Sequence, residues 1–132
     1  MKGIFYVLSF FLPLLVADPV KDEDVCLNKL YLDKDVMKPL LEQVIHPVEE
    51  SVDYNAFLEC FWKRIGYMDE RGDLYWDDIR VDYEAKFGKS DQLMRVVVHC
   101  KKQHLQGNNH GETAVKNQNC LMQGAVDYHL VG

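Results

Sequence analysis

The chain has 132 residues, with 15 basic and 21 acidic side chains that give a formal net charge of -6 at pH 7. Nucleic acids and anionic membrane surfaces attract basic proteins, so this charge argues against both as partners. The length suits one domain with a single hydrophobic core.

The first residues have the order of a secretory signal peptide. Lys2 precedes an apolar run from Gly3 to Val16, and Ala17 supplies the small residue at which signal peptidase cleaves. The run is shorter than the roughly 20 apolar residues that span a bilayer. We therefore predict a signal peptide over residues 1–17, a secreted domain over residues 18–132 and no membrane insertion. A buried N-terminal helix is the alternative.

Export changes how the four cysteines are interpreted. Cys26, Cys60, Cys100 and Cys120 all lie in the predicted mature part. Oxidising compartments favour disulfides, and an even number of cysteines predicts two of them. Four cysteines allow three pairings, so the residues alone leave the connectivity open.

Two short helices are predicted next. Apolar residues between positions 26 and 31 fit an amphipathic helix, and residues 33–44 repeat apolar side chains at helical spacing. Pro39 predicts a kink or a first turn in the second helix, and His46-Pro47 closes it.

The third helix has the strongest apolar face. It is predicted to begin at Val52 or Asp53 and to end at Gly66, which can adopt a left-handed conformation. Its aromatic and aliphatic residues recur at steps of four, with a cysteine on the flank. The charged segment 69–73 that follows is predicted to be a turn.

Three more helices complete an all-α fold. Apolar residues repeat at helical spacing over 76–87, where a glycine ends the helix. Ser90 is the predicted N-cap of a fifth helix whose apolar side reaches Leu105. A glycine and asparagine loop over 106–111 then precedes a last helix from about Glu112. We predict a compact bundle of about six helices with no sheet.

One cysteine pattern resembles a known family. Cys60-x-x-Lys63-x-x-Gly66, followed by Gly72-x-Leu74, is similar to the segment after the third cysteine of insect odorant-binding proteins. The four cysteines match the first, third, fourth and sixth of that family's six. The absent second and fifth, which form one bridge in the family, would fall on Ala56 and Gly111. The chain therefore resembles the four-cysteine, or minus-C, type.

The resemblance implies a disulfide pattern and a function. It implies the pairs Cys26–Cys60 and Cys100–Cys120, with the helices that carry Ala56 and follow Gly111 freer to separate. It also implies a secreted carrier, a monomer or weak homodimer, that binds small hydrophobic ligands such as odorants or pheromones in an internal cavity and serves a chemosensory receptor. No cofactor is implied.

The predicted helices carry more apolar and aromatic residues than packing between helices requires, and we take these residues as candidates for ligand binding. Each of them is also a candidate for plain core, because periodicity does not separate the two roles. Tyr54, Tyr75, Tyr83 and Tyr128 have hydroxyl groups that could bind an oxygen of the ligand. The predicted ligand-binding set is Phe57, Phe61, Trp62, Leu74, Trp76, Ile79, Tyr83, Phe87, Met94, Val97, Val98, Leu121, Met122 and Tyr128.

Enzyme and metal functions have little support in the sequence. It lacks a Gly-x-Ser-x-Gly elbow, a His-Glu-x-x-His motif and a phosphate-binding glycine loop. Cys100 and His104 stand one helical turn apart, yet an exported cysteine is better used in a disulfide. The acidic turn fails the calcium-loop pattern, because Asp78 stands where that loop needs glutamate. The remaining alternative is a secreted helical protein that binds lipids, amines or a protein partner without a chemosensory role.

Overall fold

The computed structural model describes residues 21–41 and 51–130, and the regular elements within them are six helices. The all-α prediction is thus confirmed. The predicted signal peptide, the segment around His46-Pro47 and Val131 lie outside the described residues. The helices are α1 (Asp22–Lys29), α2 (Lys34–Leu41), α3 (Val52–Ile65), α4 (Trp76–Phe87), α5 (Asp91–Gln103) and α6 (His110–Asp127).

Capping residues explain several of the helix ends. The Ser51 side chain accepts a hydrogen bond from the Tyr54 backbone N–H, and Ser90 does the same for Leu93, so both serines satisfy a free N–H of a first turn. Gly66 ends α3 with a φ of 89°, a left-handed conformation that costs glycine little. The predicted ends at Gly66 and Ser90 are confirmed.

The start of α6 differs from the prediction. Asn109 accepts a hydrogen bond from the Glu112 backbone N–H at 2.9 Å, and the Glu112 carboxylate accepts one from the Asn108 N–H at 2.9 Å. This arrangement is similar to a capping box, and it starts the helix at His110. Gly111 therefore lies inside α6 rather than in the preceding loop. Leu105 lies beyond the end of α5, because the chain turns at His104 with a φ of 48°.

The core forms around α3. Tyr54, Phe57, Leu58 and Trp62 are its buried residues, and α3 packs against α1 and α6, with α5 between α6 and α4. Two disulfides, Cys26–Cys60 and Cys100–Cys120, join α1 to α3 and α5 to α6. The pairing implied by the family resemblance is therefore confirmed.

The helices α3 and α6 meet where the family's absent bridge would stand. A Cβ added to Gly111 would lie 2.5 Å from the backbone oxygen of Asn55, the residue before Ala56. Further along α6, the Gln118 side chain accepts a hydrogen bond from the Tyr54 hydroxyl at 2.5 Å. The family resemblance led us to expect that these helices are freer to separate. They are nevertheless in close contact at Gly111, where any side chain would collide with the α3 backbone.

A tight connection links α3 to α4. The Asp69 carboxylate accepts hydrogen bonds from the backbone N–H groups of Arg71 and Asp73, and these bonds lower the pKa of Asp69. Gly72 has a φ of 88°, and a Cβ there would lie 2.6 Å from the His110 ring. The predicted turn is confirmed, and it also packs onto the start of α6.

Candidate functional site

Three aromatic rings follow one another along α3. The ring centroids of Tyr54 and Phe57 are 6.3 Å apart, and those of Phe57 and Phe61 are 5.6 Å apart in a stacked arrangement. Spacings of three and four residues place all three side chains along one side of the helix. We call Tyr54, Phe57 and Phe61 the aromatic row.

Most of the predicted ligand-binding residues belong to the same hydrophobic cluster as this row. Aromatic and aliphatic side chains in an enclosed region are typical of sites for small apolar ligands, and also of ordinary cores. The buried members are Phe57, Trp62, Ile79, Tyr83, Val97, Leu121 and Met122, and the partly buried ones packed against them are Phe61, Leu74, Trp76 and Phe87.

The other three predicted residues lie at the surface. The exposed fractions are 39% for Met94, 38% for Val98 and 44% for Tyr128. In α5 the buried residues are Leu93, Val96, Val97 and Cys100, so Met94 and Val98 fall at the margin of the buried face. Tyr128 follows the last residue of α6.

A polar pair interrupts the apolar interior. Gln118 stands among buried positions of α6, four residues after Ala114 and three before Leu121, and accepts the hydrogen bond of Tyr54. Burial raises the pKa of Tyr54 to about 12, and the Gln118 bond lowers it in part. Gln118 was not among the predicted site residues, although a polar side chain on an apolar helical stripe is a recognisable signal.

Two further buried tyrosines have raised pKa values. Tyr67 donates to the Asp82 carboxylate at 2.8 Å, and burial together with this acidic partner raises its pKa above the ordinary range. Burial also raises the pKa of Tyr83, and the nearby Tyr54 raises it further.

Open grooves also occur on the surface. One of about 470 Å³ lies between α1 and α3, where Leu30, Ala56 and Cys60 meet the charged side chains of Lys29 and Lys63. A second of about 380 Å³ lies between α5 and α6, and its lining includes Arg95, His99 and Tyr128. Leu74 and Trp76 border a third, of about 220 Å³, with His104 and Asn117. Of the predicted ligand-binding residues, these three grooves include Leu74, Trp76 and Tyr128.

The described residues contain neither a metal site nor a membrane span. Within residues 21–41 and 51–130, no group of three or more His, Cys, Asp or Glu side chains is placed to hold a metal ion. The helices in those two segments are too short or too polar to cross a bilayer.

Comparison with known proteins gives the family. The family model described as PBP/GOBP matches residues 14–124, a span that includes all four cysteines. Neither the curated proteins nor the solved structures gave a match. The PBP/GOBP proteins are secreted binding proteins without enzymatic activity that carry small hydrophobic odorants or pheromones. Because the match covers well over half of the sequence and the two disulfides agree with the minus-C pattern, this chain belongs to the PBP/GOBP family of insect odorant-binding proteins.

Proposed function

We propose that this carrier encloses its ligand in an internal cavity beside the aromatic row, between α3 and the helices α4, α5 and α6. The observation that carries the proposal is the row itself. Tyr54, Phe57 and Phe61 give a continuous aromatic surface, and Phe61 is only partly buried although it packs against the core. Aromatic faces bind apolar molecules of varied shape, because the contact is large and needs no precise polar partner.

The proposed ligand contacts are the interior members of the predicted set. Phe57, Phe61 and Trp62 lie on α3, and Ile79, Tyr83 and Phe87 on α4. From α5 and α6 we include Val97, Leu121 and Met122, whose side chains belong to the same cluster. Met122 suits ligands of different shapes, because its thioether chain is flexible. Leu74 and Trp76 stand at the edge of this region, and Met94, Val98 and Tyr128 would contact a ligand only at the surface.

The place of action follows from the predicted leader and the disulfides. We infer that a signal peptide over residues 1–17 directs the chain to the extracellular space, and that two disulfides keep it folded there. The carrier acts as a monomer or weak homodimer and delivers its ligand to a chemosensory receptor.

Displacement of a naphthylamine fluorescent probe tests this function. The competitors are volatile alcohols and aldehydes, fatty acids and biogenic amines. The expected result is displacement by apolar competitors and not by small, fully charged amines. If no competitor displaces the probe and the probe itself does not bind, the secreted interaction protein becomes the better interpretation.

A pair of variants locates the site. Phe61→Ala removes one ring of the aromatic row, and Val81→Ala truncates a surface residue of α4 that is 52% exposed. Burying a phenylalanine side chain is worth about 1.5–3 kcal/mol, so we expect Phe61→Ala to weaken ligand binding about tenfold or more. Val81→Ala should leave it unchanged. Equal affinities for the two variants would place the ligand elsewhere, for example in a surface groove.

A further inference from the structure

The groove between α5 and α6 is open to the surface, and none of the proposed interior contacts lines it. Its volume of about 380 Å³ lies within the range of about 300–1,000 Å³ that is typical of small-molecule sites. Val96, Cys120 and Gly124 form its apolar floor, where Val96 is only 3% exposed and Gly124 contributes no side chain. This floor suits the alkyl chain of a ligand.

The two walls of this groove are held together covalently. The Cys100–Cys120 disulfide joins α5 to α6, and Cys120 itself lines the groove. About one turn later Gly124 brings the helices close, since a Cβ there would lie 2.5 Å from the Val96 side chain. The groove is therefore largely preformed, and binding requires little ordering of its walls.

Two basic side chains in the lining have no carboxylate partner. Arg95 and His99 stand one helical turn apart on α5, and neither has an ion pair within the described part of the chain. In the larger groove between α1 and α3, by contrast, Lys63 is paired with Glu59 at 2.8 Å. An unpaired guanidinium is available to a carboxylate of the ligand, which it can bind through two parallel N–H···O hydrogen bonds.

The charge of α5 is opposite to that of the whole chain. The formal net charge of the chain is -6, whereas α5 carries three basic side chains and a single acidic one, Asp91. This local positive potential attracts an anion that the rest of the surface repels. The acidic residue in the groove lining is Asp127, whose carboxylate accepts a hydrogen bond from the Gln123 amide at 2.8 Å.

We propose that the α5–α6 groove is a second binding site, which takes single-chain carboxylates such as fatty acids. Arg95 and His99 bind the carboxylate, and the alkyl chain lies along the floor formed by Val96 and Gly124. Tyr128, a predicted ligand contact that is 44% exposed, lines the same groove. The site goes beyond the proposed function, because it does not depend on an interior cavity.

The experiment follows the backbone N–H signals of Val96 and Gly124 by NMR while octanoate or octanol is added. Because a surface ion pair contributes modestly, we expect the groove to bind octanoate about two- to fivefold more tightly than octanol. Arg95→Gln should abolish this preference. Lys102→Gln is the control, because it removes a positive charge from the same helix outside the groove lining, and it should keep the preference. Asp127→Asn should tighten octanoate binding, because it removes a repulsive charge.

Three results would overturn the inference. The groove signals could stay unchanged when octanoate is added, or Arg95→Gln and Lys102→Gln could lose the preference equally, which would show only a general attraction to a basic helix. Phe61→Ala supplies the third, because it alters the aromatic row and should leave the affinity of the groove for octanoate unchanged; a weaker affinity would show that the signals report the interior. Displacement of the naphthylamine probe tests the interior separately, so its failure with intact groove binding would count against the proposed function alone.

Discussion

Replacing Gly111 by alanine measures how closely α3 and α6 are packed. A Cβ at this position would lie 2.5 Å from the carbonyl oxygen of Asn55 and 2.8 Å from its carbonyl carbon, whereas ordinary van der Waals contact begins at 3.4 Å. Both atoms belong to the backbone of α3, so no side chain can rotate to make room. The helices must part by about 0.9 Å, or the first turn of α6 must bend.

The cost can be estimated from two opposing effects. Inserting a methyl group into a tight contact costs about 1–3 kcal/mol. Alanine is favoured over glycine inside a helix by about 0.5–1 kcal/mol, which offsets part of this cost. We therefore expect Gly111→Ala to lower the free energy of unfolding by about 0.5–2 kcal/mol and the melting temperature by about 2–10 °C.

The assay is thermal and urea unfolding followed by circular dichroism, with the disulfides kept oxidised. Gln123→Ala is the matched control, because Gln123 is an exposed residue of the same helix whose side chain donates a hydrogen bond to Asp127 at the surface. Gly124→Ala adds a comparison, since a Cβ there would lie 2.5 Å from the Val96 side chain. Truncating Val96 should therefore relieve that variant but not Gly111→Ala. A Gly111→Ala protein as stable as the wild type would refute the close packing.

Three further predictions concern an engineered disulfide and the titration of two side chains, Tyr54 and Asp69. The match to the family's cysteine positions predicts that Ala56→Cys with Gly111→Cys forms a third disulfide, worth at most about 4 kcal/mol before the cost of the new Cβ at position 111 is subtracted. Two free thiols in mass spectrometry would contradict this match. Burial raises the pKa of Tyr54 from 10.0 to about 12, because the folded protein favours the neutral phenol. The contribution of this phenol to the free energy of unfolding is therefore complete below pH 10 and is lost as the pH rises towards 12. An ultraviolet titration of Tyr54→Phe should lack one late-ionising phenol, and an unchanged curve would count against this. The pKa of Asp69 is lowered from 3.8, chiefly by the hydrogen bond from the Asp73 backbone N–H. The Asp69 carboxylate therefore stabilises the folded protein fully above pH 3.8, and this stabilisation is lost as the pH falls through the pKa of the folded state. Asp69→Asn should flatten the acid dependence of urea unfolding, and equal slopes in the two proteins would exclude this role.

Helix ends could be predicted where one residue type has a specific capping chemistry. Gly66 and Ser90 are such residues, and both end or begin a helix as expected. Asn109 and Glu112 carry the same kind of signal, yet the neighbouring glycine dominated the prediction of a loop. Glycine marks a turn in many sequences, but at Gly111 it serves close helix packing, and that role depends on a partner helix remote in the chain.

The candidate site was less predictable than the fold. Periodicity selects the apolar stripe of a helix, but the depth of each residue depends on how the neighbouring helix is rotated. Met94 and Val98 share the apolar side of α5 with Val97, yet the two are exposed and Val97 is buried. The bond between Tyr54 and Gln118 joins residues 64 positions apart, and no local pattern specifies such a pair.

The α3–α6 contact connects the loss of a disulfide to ligand binding. In the described part of the chain, disulfides tie α1 to α3 and α5 to α6, so α3 and α6 are held to each other by packing and the Tyr54–Gln118 hydrogen bond. A covalent bridge would fix the separation of these helices, whereas here separation costs the packing between them and a neutral hydrogen bond of about 0.5–1.5 kcal/mol. A ligand that enters beside the aromatic row offsets part of this cost by burying its own apolar surface, at about 0.8 kcal/mol for each methylene. We therefore expect the volume of the proposed site to vary more from ligand to ligand in this chain than in a variant that carries the third bridge.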